Sequence, residues 1–345
     1  MSLLTRAAFF FNLTKGHILK KNIPLMIVLN CTNHCNLRCG YCYGEYYKPV
    51  SKEQEFSTVQ LFALIDELSA MGTKSLTLAG GEPLLREDIG KIINRIKSRK
   101  MECGMNTNGI LIPHRLKELQ SIDMVTVSID GPKGMNDADR GGGSFEKIIS
   151  GIDAALGAGI KVHINTVLTR HNLDGIDWII DFARERKIHA EFNVLFQQSA
   201  GKRGTEEFLA DQESYRKALT YIADLKSKGA PILFSEGVYR FASRWPNLEK
   251  RVYRDSPPDF NYIRCFSGRF MGFIDSDGRV YPCPQLIDSI DAKNCKEVGF
   301  KAAWGYLAQH DCKACYFPCF NEFSRIMGFH LPTIFQQIFS TLRGH

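Results

Sequence analysis

LMIVLNCTNHCNLRCGYC, residues 25–42, joins an apolar run to three cysteines spaced C-x3-C-x2-C. The run Leu25–Leu29 has the length and composition of a buried strand, so Cys35, Cys39 and Cys42 fall on the loop leaving its C-terminal end. Parallel α/β barrels build their sites at that end. Three thiolates this close suit a [4Fe–4S] cubane, which needs one ligand per iron and here is left one short, so the fourth iron stays open. A structural zinc site that recruits Cys31 as its fourth thiolate is the alternative.

Downstream the chain alternates between helical and strand patterns. Ser57 or Thr58 caps a helix to about Met71, with Leu61, Leu64, Ile65 and Leu68 on one face and Gly72 past its end. The strand Ser75–Ala79 then runs into Gly80-Gly81-Glu82-Pro83, where paired glycines let backbone approach a ligand closely and a carboxylate can pair with an ammonium group. The pattern continues with a helix near Ile89–Ser98, a strand Cys103–Asn106, a helix near His114–Gln120 and a strand Met124–Ile129. Strands Lys161–Val167 and Glu191–Phe196, with a helix Ile176–Lys187 between them and a helix Gln212–Gly229 after them, complete six units. Such alternation implies right-handed crossovers and a parallel sheet.

The cysteine loop, the aromatic Tyr41 before its last cysteine, and GGEP one βα unit later resemble the radical S-adenosylmethionine (SAM) enzymes. The resemblance implies an α/β fold, a partial (β/α)6 TIM-like barrel open on one side. It also implies that Cys35, Cys39 and Cys42 hold a [4Fe–4S] cluster whose open iron is chelated by the methionine part of SAM. Reductive cleavage would then give methionine and a 5′-deoxyadenosyl radical that abstracts hydrogen from a substrate. Gly80, Gly81 and Glu82 would engage the SAM amino group, with Pro83 fixing the turn. Ser128 and Asp130, in the segment SIDG, match the family's fourth-strand pattern and are candidate SAM contacts; turn residues satisfying backbone groups are the plainer reading. Arg140, in DADRGGGSF, aligns with an arginine common after this strand in the family, which implies a SAM-carboxylate contact or a loop-fixing role; an exposed arginine is the plainer reading. Asn106 and Asn108 on the third strand, and Asn165 and Thr166 on the fifth, carry side chains that could face SAM.

A second cysteine set lies near the C-terminus. Cys265 and Cys283 enclose seventeen residues, with strand patterns Phe270–Ile274 and Arg279–Tyr281 around the turn Asp275-Ser276-Asp277-Gly278. Cys312, Cys315 and Cys319 add C-x2-C-x3-C. The stretch resembles the SPASM or twitch extension of radical SAM enzymes, a small cysteine-rich hairpin and helix domain. That implies one auxiliary [4Fe–4S] cluster held by Cys265, Cys283 and two of the last three, Cys312 and Cys315 by likeness to the twitch form, with Cys319 as a replacement. A zinc ribbon is the alternative. Cys103 and Cys295 fit no set. The auxiliary cluster is expected to accept an electron from the substrate radical.

The expected layout is an N-terminal amphipathic segment 1–22, the barrel 23–230, a linker 231–260 and the auxiliary domain 261–345. Composition is that of an ordinary globular protein, 44% hydrophobic and 23% charged, so neither a disordered nor a fibrous chain is in question. The net charge of +7 comes from 44 basic and 37 acidic residues with no basic–aromatic run, which argues against nucleic-acid binding. Eleven cysteines without a secretory signal point to metal or redox use in the cytoplasm. The segment 1–21 and the stripe Phe323–Leu342 are apolar and near-helical in spacing; both pack on the protein itself or dock on a membrane surface. The substrate is expected to be a small molecule, with lipids and isoprenoids included, and an electron donor such as flavodoxin or ferredoxin is required. A peptide-modifying maturase is the runner-up, and a non-catalytic iron–sulfur carrier the distant alternative.

Overall fold

The computed structural model describes residues 3–44, 55–196, 205–287, 289–310 and 312–342; the loop 197–204, expected to edge the cavity, lies outside them. Helix α1 (Leu3–Ile18) precedes strand β1 (Met26–Thr32). There follow α2 (Thr58–Ala70), β2 (Ser75–Gly80), α3 (Ile89–Ser98), β3 (Glu102–Thr107), α4 (Ile112–Arg115), β4 (Met124–Ser128), α5 (Lys133–Arg140) and α6 (Ser144–Gly157). The units close with β5 (Val162–Leu168), α7 (Ile176–Glu185), β6 (His189–Val194) and α8 (Gln212–Ser227). Strands β1 to β6 are all parallel and adjacent in sequence order, which is the expected six-stranded partial barrel.

Local chemistry starts these elements where the sequence indicated. At α2, Ser57 and Gln60 form a reciprocal capping box, and Leu61, Leu64, Ile65 and Leu68 are buried. The helix expected over His114–Gln120 is only α4. Beyond Arg115 the chain tightens into i→i+3 turns, Glu118 N to Arg115 O at 3.1 Å and Ile122 N to Leu119 O at 3.1 Å. These deliver Asp123 N to Cys103 O at the start of β4.

The register of β4, β5 and β6 settles which side chains face the lumen, because neighbours in register share a face and faces alternate. Thr126 pairs with His163 and His163 with His189; Ser128 pairs with Asn165 and Asn165 with Glu191. These polar residues share the inner face. Val125, Val127, Ile164, Ala190 and Phe192 alternate with them and join the apolar core under the helices.

Two differences from expectation shape the site. Residues 231–260 are no linker: they hold α9 (Glu236–Ser243), and Val238, Tyr239, Ala242 and Trp245 are buried in the main core. The Tyr239 hydroxyl accepts from Phe192 N at 3.1 Å, tying α9 to β6. After β7 (Val252–Tyr253), the cysteine hairpin forms as expected from β8 (Met271–Ile274) and β9 (Val280–Tyr281), but β8 also pairs parallel with β1, Met26 with Met271 through Leu29 with Ile274. The extension is therefore a continuation of the barrel sheet along its open edge.

The chain ends with α10 (Cys295–Val298), α11 (Phe300–Tyr306), β10 (Ala314–Cys315), α12 (Pro318–Met327) and α13 (Leu331–Leu342). The apolar stripe over 323–342 is thus two helices, broken at Gly328–His330 with Phe329 at φ +57, and Pro332 sits in the first turn of the second. No helix among the described residues is long and apolar enough to cross a membrane.

Candidate active site

The cysteine loop is held at its base before any cofactor is considered. The Glu55 carboxylate accepts from Asn33 N at 2.5 Å and Thr32 Oγ1 at 3.0 Å. Arg86, paired with Asp88, donates to Cys31 O at 2.9 Å and Phe56 O at 3.2 Å. The GGEP backbone joins in, with Gly81 N bonded to Thr32 O at 2.9 Å and Glu82 N to His34 O at 2.8 Å. Gly80 has φ +124, and a Cβ there would lie 2.2 Å from Thr32 O, so only glycine lets β2 approach β1 this closely.

The Glu82 side chain is fully buried and turned toward β3. It accepts from Leu84 N at 3.0 Å, Thr107 Oγ1 at 2.8 Å and Asn108 N at 2.8 Å. Burial pushes its carboxyl up to about 7 against these three donors. Its contacts in this structure are therefore to the ends of β2 and β3. Asn108 carries the link onward, its Nδ2 donating to Asn36 Oδ1 in the cysteine loop at 2.7 Å. Thr107 as a partner of Glu82 was not singled out by sequence reasoning; its place at the C-terminal end of β3 was the available signal.

Tyr41, Asp130 and Arg140 meet in a buried network. The Tyr41 hydroxyl donates to Asp130 Oδ2 at 2.5 Å and accepts from Arg140 Nη2 at 2.5 Å. Arg140 Nε lies 2.6 Å from the same Asp130 oxygen, and the other Asp130 oxygen accepts from Val167 N at 3.2 Å. Arg140 thus locks the residue between Cys39 and Cys42 to the end of β4. Beside it Gly40 N bonds to Asp139 O at 2.9 Å, and the buried Asp139 carboxylate accepts from Thr169 Oγ1 and meets His171 Nδ1, both at 2.9 Å. Asp139, Thr169 and His171 were not read from sequence.

Of the other residues named from sequence, all but Thr166 fall on the lumen side or its rim. Asn106 is exposed, Ser128 and Asn165 are partly open, and Asn165 Oδ1 accepts from Asn193 Nδ2 at 2.8 Å. Thr166 turns away, donating to Ile129 O at 2.7 Å. Deeper in the lumen, His163 is 5% exposed with both ring nitrogens unpartnered, and burial pushes its imidazolium pKa down to about 3. Glu191 has no hydrogen-bond partner among the described residues, and burial pushes its carboxyl up to about 8.

Cys35, Cys39 and Cys42 are half-buried free thiols. Burial pushes Cys35 up to about 11 and Cys39 up to about 12, and the neighbouring Cys42 raises both further. Such thiols ionise together only beside strong positive charge, which fits a donor set for an iron cluster. Cys265, Cys283, Cys312, Cys315 and Cys319 are likewise free and drawn into one region of the extension. Cys283 feels the charge of Cys312, Cys265 and Cys319, and Cys315 that of Cys265, Cys283 and Cys319, after burial, which pushes both well up. Among the described residues no three His, Cys, Asp or Glu side chains form a group that could hold one metal ion. Cys103 and Cys295 lie apart, in the apolar core.

Residues 29–183 match the family model of the radical SAM superfamily. That stretch is a radical SAM domain. The Fe-coproporphyrin III synthase of Methanosarcina barkeri is 33% identical over 63% of this radical SAM chain, which spans only 56% of that relative's length. The AdoMet-dependent heme synthase of the same organism is 29% identical over 82% of each chain. Structures of Streptococcus suis SuiB, bound to S-adenosylmethionine or to its precursor peptide SuiA, share the fold at TM-scores of 0.65 and 0.64 with 20% identity, covering 84% of this chain and 68% and 67% of theirs. The chain is thus an iron–sulfur-dependent enzyme of the radical SAM type.

Proposed function

We propose that this enzyme cleaves SAM reductively and abstracts a hydrogen atom from a small-molecule substrate held in the barrel lumen. The observation that carries the reading is the three-cysteine loop at the C-terminal end of β1, stapled to GGEP and to the Tyr41–Asp130–Arg140 network. Cys35, Cys39 and Cys42 would hold a [4Fe–4S] cluster, which would supply the electron for reductive cleavage of SAM to methionine and a 5′-deoxyadenosyl radical. The protein's own contribution is placement. Glu55, Arg86 and the GGEP backbone hold the loop, and Arg140 fixes Tyr41 between two of its thiols.

Gly80, Gly81, Ser128, Asp130 and Asn165 line the ends of β2, β4 and β5, where SAM would lie. Asp130 acts through Tyr41 and Arg140, since its oxygens are already engaged. The polar inner face, with Asn165, Asn193 and Glu191, presents donors and acceptors to a second substrate. The extension covers the β1 edge and helps keep water from a radical. Cys265, Cys283 and two of Cys312, Cys315 and Cys319 would hold an auxiliary cluster suited to take the substrate's electron, and a flavodoxin or ferredoxin would supply the first.

A small molecule is favoured because the relatives that cover most of the chain include synthases named for haem and Fe-coproporphyrin III. The peptide-modifying maturase alternative rests on the mycofactocin maturase MftC of Mycolicibacterium smegmatis, 27% identical over 81% of this chain, and on the SuiB likeness, which concerns the fold. Reduced, anaerobically reconstituted protein should form 5′-deoxyadenosine from SAM, and the Cys35→Ala/Cys39→Ala/Cys42→Ala variant should not. Unchanged SAM cleavage by that variant would defeat the proposal.

A further inference from the structure

We propose that α1 and the start of α13 form one face that docks on an anionic lipid surface. Helix α1 is apolar on two sides. Phe9 and Leu13 are buried against Leu25, Phe266, Phe270, Met271 and Met327, which uses one side for the protein's own core. On the opposite side Leu4, Phe11 and Ile18 recur every seven residues, so they form a single ridge two turns apart. They are 82%, 70% and 73% exposed.

The ridge continues onto the C-terminal helix. His17 at the end of α1 packs on Phe329 with ring centroids 5.3 Å apart, and its Nε2 lies 2.8 Å from Met327 O. That junction brings Leu331 and Phe335, both more than half exposed, to the same part of the molecule. Seven of the twelve large apolar side chains exposed among the described residues belong to this surface. Elsewhere they are scattered singly, as on ordinary protein surfaces.

Charge identifies the occupant. Residues 1–44 and 323–345 contain no Asp or Glu, although the whole chain carries 37. Lys15 on the same side of the helix, and Lys20 and Lys21 just past its end, accompany the ridge and have no ion-pair partner among the described residues. An apolar ridge flanked by unpaired cations, on a helix of 16 residues, is suited to lie in the headgroup plane of a bilayer without crossing it. A second copy of the chain would fit poorly, because a two-fold contact through this ridge would set the same lysines against each other. The inference stands apart from the radical chemistry, since none of these residues touches the cysteine loop.

The test is co-sedimentation of the anaerobically purified full chain with vesicles of phosphatidylcholine alone, or mixed in equal parts with phosphatidylglycerol. Binding is expected only to the mixed vesicles and should fall as salt is added. Phe11→Ser/Ile18→Ser should weaken it at least tenfold, and Lys15→Gln/Lys20→Gln/Lys21→Gln roughly a hundredfold, each basic residue near such a surface contributing about fivefold. Both variants change only exposed side chains and should keep wild-type circular dichroism and 5′-deoxyadenosine formation. The proposal is overturned by no binding to the mixed vesicles, by equal binding of wild type and both variants, or by a dimer that Phe11→Ser/Ile18→Ser splits in the absence of vesicle binding.

Discussion

Replacing Arg140 by methionine isolates the network that fixes the cysteine loop. Methionine keeps the length and helix propensity of the side chain in α5 but removes its charge. Asp130, fully buried, then keeps two donors, Tyr41 Oη and Val167 N, and loses the cation 2.6 Å from its Oδ2. Removing one partner of a buried pair while leaving the other charged costs about 3–5 kcal/mol. For a domain of this size that corresponds to a fall in Tm of roughly 10 °C. Guanidinium unfolding of the reduced, iron-free chain measures the loss without interference from cofactor release. The reconstituted protein should also bind less iron, since Tyr41 sits between Cys39 and Cys42. Adding Asp130→Asn to Arg140→Met removes the stranded charge and should recover a good part of the stability, because contacting residues do not add independently. A loss below about 1 kcal/mol, or a double variant as unstable as the two single losses summed, would refute the view that this pair is a buried structural lock.

Three further outcomes follow from other parts of the molecule. Gly80→Ala should destabilise the chain by roughly 2–5 kcal/mol, since its Cβ would meet Thr32 O at 2.2 Å on a backbone with positive φ; wild-type denaturation would disprove that close approach. Glu191 titrates near 8 in the fold against 4.5 ordinarily, so stability is full at low pH and declines as pH rises between those values. Glu191→Gln should remove that decline, at most about 1.4 kcal/mol per pH unit, and identical pH profiles for both proteins would contradict it. Iron and sulfide analysis of the anaerobic protein should give about eight irons per chain if both sites hold cubanes, falling to about four in Cys283→Ala; zinc in the extension would reassign the second cysteine set.

The cysteine loop and GGEP were legible in sequence because close spacing along the chain and glycine's freedom are local properties. So were α2, with its Ser57–Gln60 capping box, and the alternation that produces β1 to β6. The cysteine hairpin was legible too, from a short turn between two apolar runs. What the sequence could not supply was the partner of each side chain across the fold. Glu82 read as a ligand for an ammonium group, yet its carboxylate meets Thr107 and Asn108 because β3 lies next to β2. Arg140 was open between a SAM contact, a loop lock and an exposed side chain until Asp130 and Tyr41, the latter 99 residues away in sequence, were placed against it. Residues 231–260 looked like a linker because α9 is short, and only packing shows Tyr239 and Trp245 in the core. The lumen face of β5 and β6 was undetermined because a one-residue change in register exchanges the faces of a strand, and hydrogen bonding between neighbouring strands is what sets that register. The attachment of β8 to β1 rests on the same cause: an exposed parallel edge accepts whichever strand the later chain brings to it, and that pairing is made only in three dimensions.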